Sequence, residues 1–179
     1  MYELIVDCTK KCVSKFINCG TNSSCDGSIY LDLEKLKTLL KFSKDINAQI
    51  FLGGGCFFCH PHWKKLLEFN KELDANVIID VPLDKYVLLC IASYPPQKYN
   101  YQVSVSLWGI EETHNKLAGL NSFFLFSDYK SLLNQSMRVS FVITQELISY
   151  SNELIDFINK NPQIKTLYFH RLMPTGRCS

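Results

Sequence analysis

A chain of 179 residues, 47% of them apolar, is long enough for one well-buried core and short for two ordinary domains, so a single domain over residues 1–179 is expected. Its formal charge of +2 comes without a basic tract, which gives no electrostatic case for a dedicated nucleic-acid binder. The opening MYELIVDC lacks the basic start and long apolar core of a secretion signal, and no window approaches the roughly 18 apolar residues of a membrane span. A cytoplasmic protein with no membrane partner is expected, and there eight cysteines argue for metal binding, catalysis or burial ahead of disulfides.

In chain order, YELIV (2–6) reads as a strand and opens into CTKKCVSKFINC (8–19), a basic loop with three cysteines. YLDLEKLKTLLKF (30–42) sets Leu33, Leu36, Leu39 and Leu40 on one helical stripe, and AQIFL (48–52) is the next strand. HWKKLLEFNKEL (62–73) returns to helix, with Trp63, Leu66, Leu67 and Leu73 facing inward. ANVIIDV (75–81) has β-branched strand composition. Residues 84–93 fit either period, and YPPQKYN (94–100) breaks what precedes it, because proline removes a donor and restricts its neighbour.

YQVSVSL (101–107) alternates as a strand, a helical stretch spans 111–134, RVSFVIT (138–144) is strand, QELISYSNELIDFINK (145–160) helix and IKTLYF (164–169) strand. Six strands joined by helix-length connections imply parallel pairing with right-handed crossovers. The expected fold is α/β, and the length favours a partial (β/α)6 TIM-like barrel over a closed eight-fold one, which takes about 250 residues.

Ligands in such folds gather at the carboxyl ends of strands. That rule selects the cysteine loop, GGGCFFCHPH (53–62), DVP (80–82), SLWG (106–109), TQ (144–145) and HRLMPTGR (170–177). Within them Ser104 and Ser106 share one strand face, and consecutive glycines admit close backbone approach. From residues alone, Cys8, Cys12 and Cys19 stay open between core thiols and metal ligands. Cys56-Phe-Phe-Cys59 followed by His60 and His62 stays open between a zinc half-site and packed or redox-active thiols. His114 reads as surface or capping. Arg171 and Arg177 read as holding an anion or closing the barrel end.

Over nearly the whole chain the order of these segments resembles the radical S-adenosylmethionine (SAM) superfamily. The cysteine loop stands where that family has its cluster loop. FLGGGCFFCHPHWKKLLEF is similar to its Gly-Gly-Glu-Pro turn and helix, VSVSLWGIEETHNKLAGLNSF to its Ser-Leu-Asp-Gly strand, and RVSFVIT with FHRLMPTGR to its last two strands. The family's usual loop spaces its cysteines by three and then two residues, whereas Cys8, Cys12 and Cys19 are spaced by three and six. The turn reads Gly53-Gly54-Gly55, without the acid, and Cys56 stands for the proline.

The resemblance implies a 4Fe-4S cluster on Cys8, Cys12 and Cys19, with Cys25 as a substitute ligand, since soft thiolates suit iron. It implies SAM held by Gly53, Gly54, Gly55, Ser104 and Ser106, with Leu172 and Met173 flanking adenine. The implied activity is reductive cleavage of SAM to start radical chemistry, of lyase or oxidoreductase type, with a flavodoxin or ferredoxin as electron donor. The substrate is a small molecule, such as the 7-deazapurine bases of queuine lyase and carboxydeazaguanine synthase, or a peptide; the lack of a cysteine-rich carboxyl-terminal domain favours the small one. The alternatives are a catalytically degenerate binding partner of a peptide maturase and a zinc-bound regulatory domain.

Overall fold

The computed structural model describes residues 2–133, 137–171 and 174–178. Six parallel strands form one sheet in sequence order: β1 (Tyr2–Thr9), β2 (Ala48–Gly54), β3 (Asn76–Val81), β4 (Tyr101–Leu107), β5 (Met137–Ile143) and β6 (Ile164–Arg171). Between them lie α1 (Leu33–Asp45), α2 (Trp63–Leu73), α3 (Lys85–Ser93), the one-turn α4 (Pro96–Tyr99), α5 (Glu111–Ala118), α6 (Phe126–Leu133), α7 (Gln145–Ser149) and α8 (Ser151–Asn159). The ambiguous stretch 84–93 becomes α3 because Asp84 caps it, accepting from the Tyr86 and Val87 N–H groups at 2.8 and 3.3 Å and so satisfying donors a helix start leaves free. Leu36 and Leu40 of α1 and Trp63, Leu66 and Leu67 of α2 are buried, as their spacing predicts.

Strand alternation divides the sheet into two faces. Leu4, Val6, Ile50, Leu52, Val77, Ile79, Val103, Val105, Val139 and Phe141 point toward the helices and make the main core. The opposite face carries Gln49, Phe51, Asp80, Ser104, Arg138, Ser140, Tyr168 and His170. There Arg138 donates to Gln102 Oε1 at 2.8 Å and to the Tyr168 hydroxyl, with its guanidinium 4.9 Å from the Tyr168 ring. A single cavity is lined both by Glu3 and Ile5 of β1 and by Tyr168 and His170 of β6, so the sheet curls until its two edge strands face one space. This is a partial barrel whose concave face is polar.

β1 runs three residues beyond the expected strand. Asp7 pairs with Gly53 and Thr9 with Gly54, with an irregularity between them at Cys8. That extension draws Cys8 out of the expected loop and into the sheet.

Candidate functional site

The loop from Lys10 to Asp32 folds over the carboxyl ends of β1 and β2. Its backbone is tied by Lys10 N–H to the Ile29 carbonyl and Cys12 N–H to the Ser24 carbonyl, both at 2.9 Å. Arg177 clamps it from the far end of the chain: the side chain donates to the Phe16 carbonyl at 2.8 Å, to Asn22 Oδ1 at 2.9 Å and to the Ser23 carbonyl at 2.7 Å. Its guanidinium therefore holds the loop and not an anion. Leu172 and Met173, expected to flank adenine, lie outside the described residues.

Gly54 and Gly55 admit this loop. Gly54 has φ +92°, and a Cβ there would stand 2.9 Å from the Asp7 Cα and the Thr9 carbonyl; at Gly55 a Cβ would stand 2.2 Å from the Lys11 carbonyl oxygen. Their want of a side chain is used by protein backbone, and Gly55 N–H donates to the Thr9 carbonyl at 2.6 Å. Gly53 differs, since the nearest atom to its Cβ direction is the Asp80 Cβ at 3.9 Å.

Two cavities open beside these glycines and share Gly54 and Asp80. One, of about 180 Å³, lies under the loop between Cys12, Phe16, Cys19, Ser106 and Trp108. The other, of about 140 Å³, lies deeper against Gly53, Ser104, Phe51, Tyr168 and His170. A wider groove of about 440 Å³ at the amino ends of β3 and β4, near Asn76 and Gln102, has no thiol in its lining.

Asp80 is the group that sequence reading passed over, although its DVP segment marks a strand end. Its carboxylate accepts from Ser106 Oγ at 2.5 Å and Ser140 Oγ at 3.0 Å, and Ser104 is a third partner. Burial raises its pKa above the ordinary carboxylate value, and the three hydroxyls with His170 oppose that rise. Ser104 and Ser106 thus do share a face, and both turn to one acid.

The thiols divide. Cys8 is fully buried on the helix side with Val6, and its Sγ donates to the Gly53 carbonyl at 3.1 Å; burial, partly offset by its backbone hydrogen bond, pushes its pKa up to about 12. Cys12 and Cys19 line the upper cavity. Burial pushes Cys12 up to about 12 as well. For Cys19 burial is outweighed by hydrogen bonds from Thr21 and Ser23, so its pKa falls below the usual thiol value. Of the three expected ligands, Cys12 and Cys19 line the upper cavity and Cys8 does not, and among the described residues no three His, Cys, Asp or Glu side chains are placed to hold a metal ion. Counted from Cys12, the spacing of three and then two intervening residues falls on Cys12, Phe16 and Cys19. Phe16 fills the middle place, its ring 6.0 Å from that of Trp108.

Cys8→Ala is expected to cost about 1–2 kcal/mol of stability by opening a small buried void. It should leave the reactivity of Cys12 and Cys19 toward a thiol reagent unchanged; a loss of their reactivity would place Cys8 in the site.

His60 has both ring nitrogens engaged, Nε2 with the Leu31 carbonyl at 2.9 Å and Nδ1 with the His62 N–H at 3.1 Å, which leaves none for zinc. His114 is buried, contrary to its surface reading. Nδ1 accepts from the Trp108 N–H at 3.2 Å, and Nε2 meets Ser122 Oγ at 3.1 Å. Desolvation lowers its pKa from 6.5 to about 4. An unfolded chain therefore takes up a proton at a pH where the folded one does not, so stability is full above about pH 6.5 and falls as pH drops toward 4. Urea unfolding should show up to roughly 3 kcal/mol lost over that window, and a His114→Gln variant should show a flatter profile; equal slopes would remove His114 as the cause.

The parallel partial barrel is shared with solved structures that hold S-adenosylmethionine. Streptococcus suis SuiB bound to S-adenosylmethionine matches with TM-score 0.71 and 18% identity, over 96% of this chain and 40% of that one. SuiB bound to its precursor peptide SuiA matches with TM-score 0.72 and 19% identity, over 96% and 39%. Native anSMEcpe with bound AdoMet and the Cp18Cys peptide matches with TM-score 0.64 and 16% identity, over 96% and 51%. The chain thus spans about two-fifths to half of the length of these proteins. No family model and no curated protein matches the sequence. Among the described residues no helix is long and apolar enough to cross a membrane.

Proposed function

We propose that this chain is the SAM-binding barrel of a radical SAM system that modifies peptides. The observation carrying this reading is the half-buried Asp80 and its hydroxyls beside Gly53, lining a cavity, in a fold whose SuiB and anSMEcpe examples hold SAM. Asp80 supplies the negative charge that the Gly-Gly-Gly turn lacks, and it faces the ligand's ammonium or sulfonium. Ser104 and Ser106 orient that carboxylate and offer hydroxyls to ribose or carboxylate oxygens. A peptide is preferred over a 7-deazapurine because SuiB and anSMEcpe were each captured with a peptide.

A 4Fe-4S cluster supplies the electron that splits SAM in this enzyme class. The thiols as placed do not fit one: Cys12 and Cys19 stand at the mouth, Cys8 does not, and Phe16 takes the sequence place between Cys12 and Cys19. Catalysis by the chain itself needs a third thiolate, for which Cys25 is the candidate, and a flavodoxin or ferredoxin as donor. The second reading is a barrel that binds SAM and peptide for an active maturase, and the position of Phe16 favours it.

Calorimetric titration with SAM tests the shared premise, and heat of binding is expected without added iron; no binding at millimolar SAM would end both readings. Anaerobic reconstitution with iron and sulfide then divides them. Stoichiometric cluster iron and 5'-deoxyadenosine on reduction establish the enzyme, whereas SAM binding with neither establishes the partner.

A further inference from the structure

The Cys56–Cys59 pair is used neither by the core alone nor by the SAM-binding reading, and its geometry carries an inference independent of that reading. Cys56-Phe57-Phe58-Cys59 winds into one 3-10 turn, closed by Cys59 N–H donating to the Cys56 carbonyl at 2.8 Å. Such a turn rises about 2 Å per residue and eclipses side chains three apart, setting their Cα atoms about 6 Å apart. That lies inside the roughly 4.4–6.8 Å range of a disulfide. The two thiols act on one another, Cys56 being pushed well above the usual thiol value and Cys59 drawn below it, each chiefly by the other.

Rigidity and access are both present. Phe57 and Phe58 are buried, the Phe58 carbonyl accepts from the Tyr86 hydroxyl at 3.1 Å, and Cys56 N–H donates to the Lys11 carbonyl at 2.9 Å. Cys56 is fully buried while Cys59 is only partly so. One sulfur can meet a reagent, and the other can meet only its neighbour.

We propose that Cys56 and Cys59 form a reversible dithiol–disulfide site that exchanges with low-molecular-weight disulfides. Cys59 Sγ, as thiolate, attacks one sulfur of the disulfide; that S–S bond breaks, and the first thiol leaves with the proton Cys59 gave up. Cys56 Sγ then attacks the Cys59 sulfur, the mixed S–S bond breaks, and the second thiol leaves with the Cys56 proton. The reagent is reduced by two electrons to two thiols, and the protein is oxidised to an intramolecular disulfide.

The test equilibrates metal-free protein under argon with glutathione and glutathione disulfide in graded ratios, then traps free thiols by alkylation and maps peptides. The expected result is one two-electron transition in which Cys56 and Cys59 lose alkylation together. Cys56→Ser should instead accumulate glutathione on Cys59, Cys59→Ser should abolish the transition, and Cys90→Ser, at a neighbouring thiol, should leave its midpoint in place. Two freely alkylated thiols at the most oxidising ratio, a crosslink from Cys59 to Cys12 or Cys90, or no adduct on Cys59 in Cys56→Ser overturns the assignment.

Discussion

Gly55→Ala is expected to lower the unfolding free energy by about 2–4 kcal/mol, a large effect for one methyl group. The added Cβ would meet the Lys11 carbonyl oxygen at 2.2 Å, its carbon at 2.8 Å and the Thr9 carbonyl at 3.0 Å. Neither backbone atom is free to yield, because Lys11 O accepts from Cys56 N–H and Thr9 O from Gly55 N–H. Relief therefore means lifting the loop off the barrel, and Cys12, one residue on, goes with it. Urea denaturation should show the lower midpoint, and alkylation should show Cys12 exposed. Gly53→Ala is the comparison: its methyl makes only an ordinary contact with the Asp80 Cβ at 3.9 Å, so it should keep the midpoint within about 1 kcal/mol while weakening SAM binding. If both variants unfold alike, the backbone-contact account of Gly55 fails.

Asp80→Asn is expected to weaken SAM binding tenfold or more, about 1.4 kcal/mol, while leaving the ligand-free protein as stable as before or more so. The signs differ for one reason. Burial raises the carboxyl pKa in the folded state, so its contribution to stability is present below the unfolded value of 3.8 and is lost as pH rises through the folded value. The ionised carboxylate is half-buried in the ligand-free fold and met only by hydroxyls and His170, and a cationic ligand completes it. The amide keeps hydrogen bonds but removes the charge. Unchanged SAM affinity in Asp80→Asn, with the unfolding midpoint also unchanged, would take Asp80 out of the ligand site.

The strands and most helices were legible because periods of 2 and 3.6 are local: Leu36 and Leu40, or Val103 and Val105, announce their buried face by spacing alone. The serine pair at 104 and 106 was legible for the same reason. The thiol assignment was not. Whether Cys8 belongs to a loop or a strand depends on β2 lying alongside to extend β1, and a shift of one residue exchanges the two faces of a sheet. Arg177 likewise stays open between holding an anion and closing the barrel end until its loop partners, more than 150 residues away in sequence, are brought beside it.

By itself, then, the order of residues determined the six strands, the parallel α/β topology and the end of the sheet at which polar groups collect, since these follow from periodicity and connection length. Only the tertiary structure decided which groups meet there. It gathered Asp80 with hydroxyls from β4 and β5, reserved Gly54 and Gly55 for backbone, turned Cys8 into the core and left Cys12 and Cys19 at the mouth. Such contacts join segments distant along the chain, so they depend on sheet register and curvature, which no local pattern encodes.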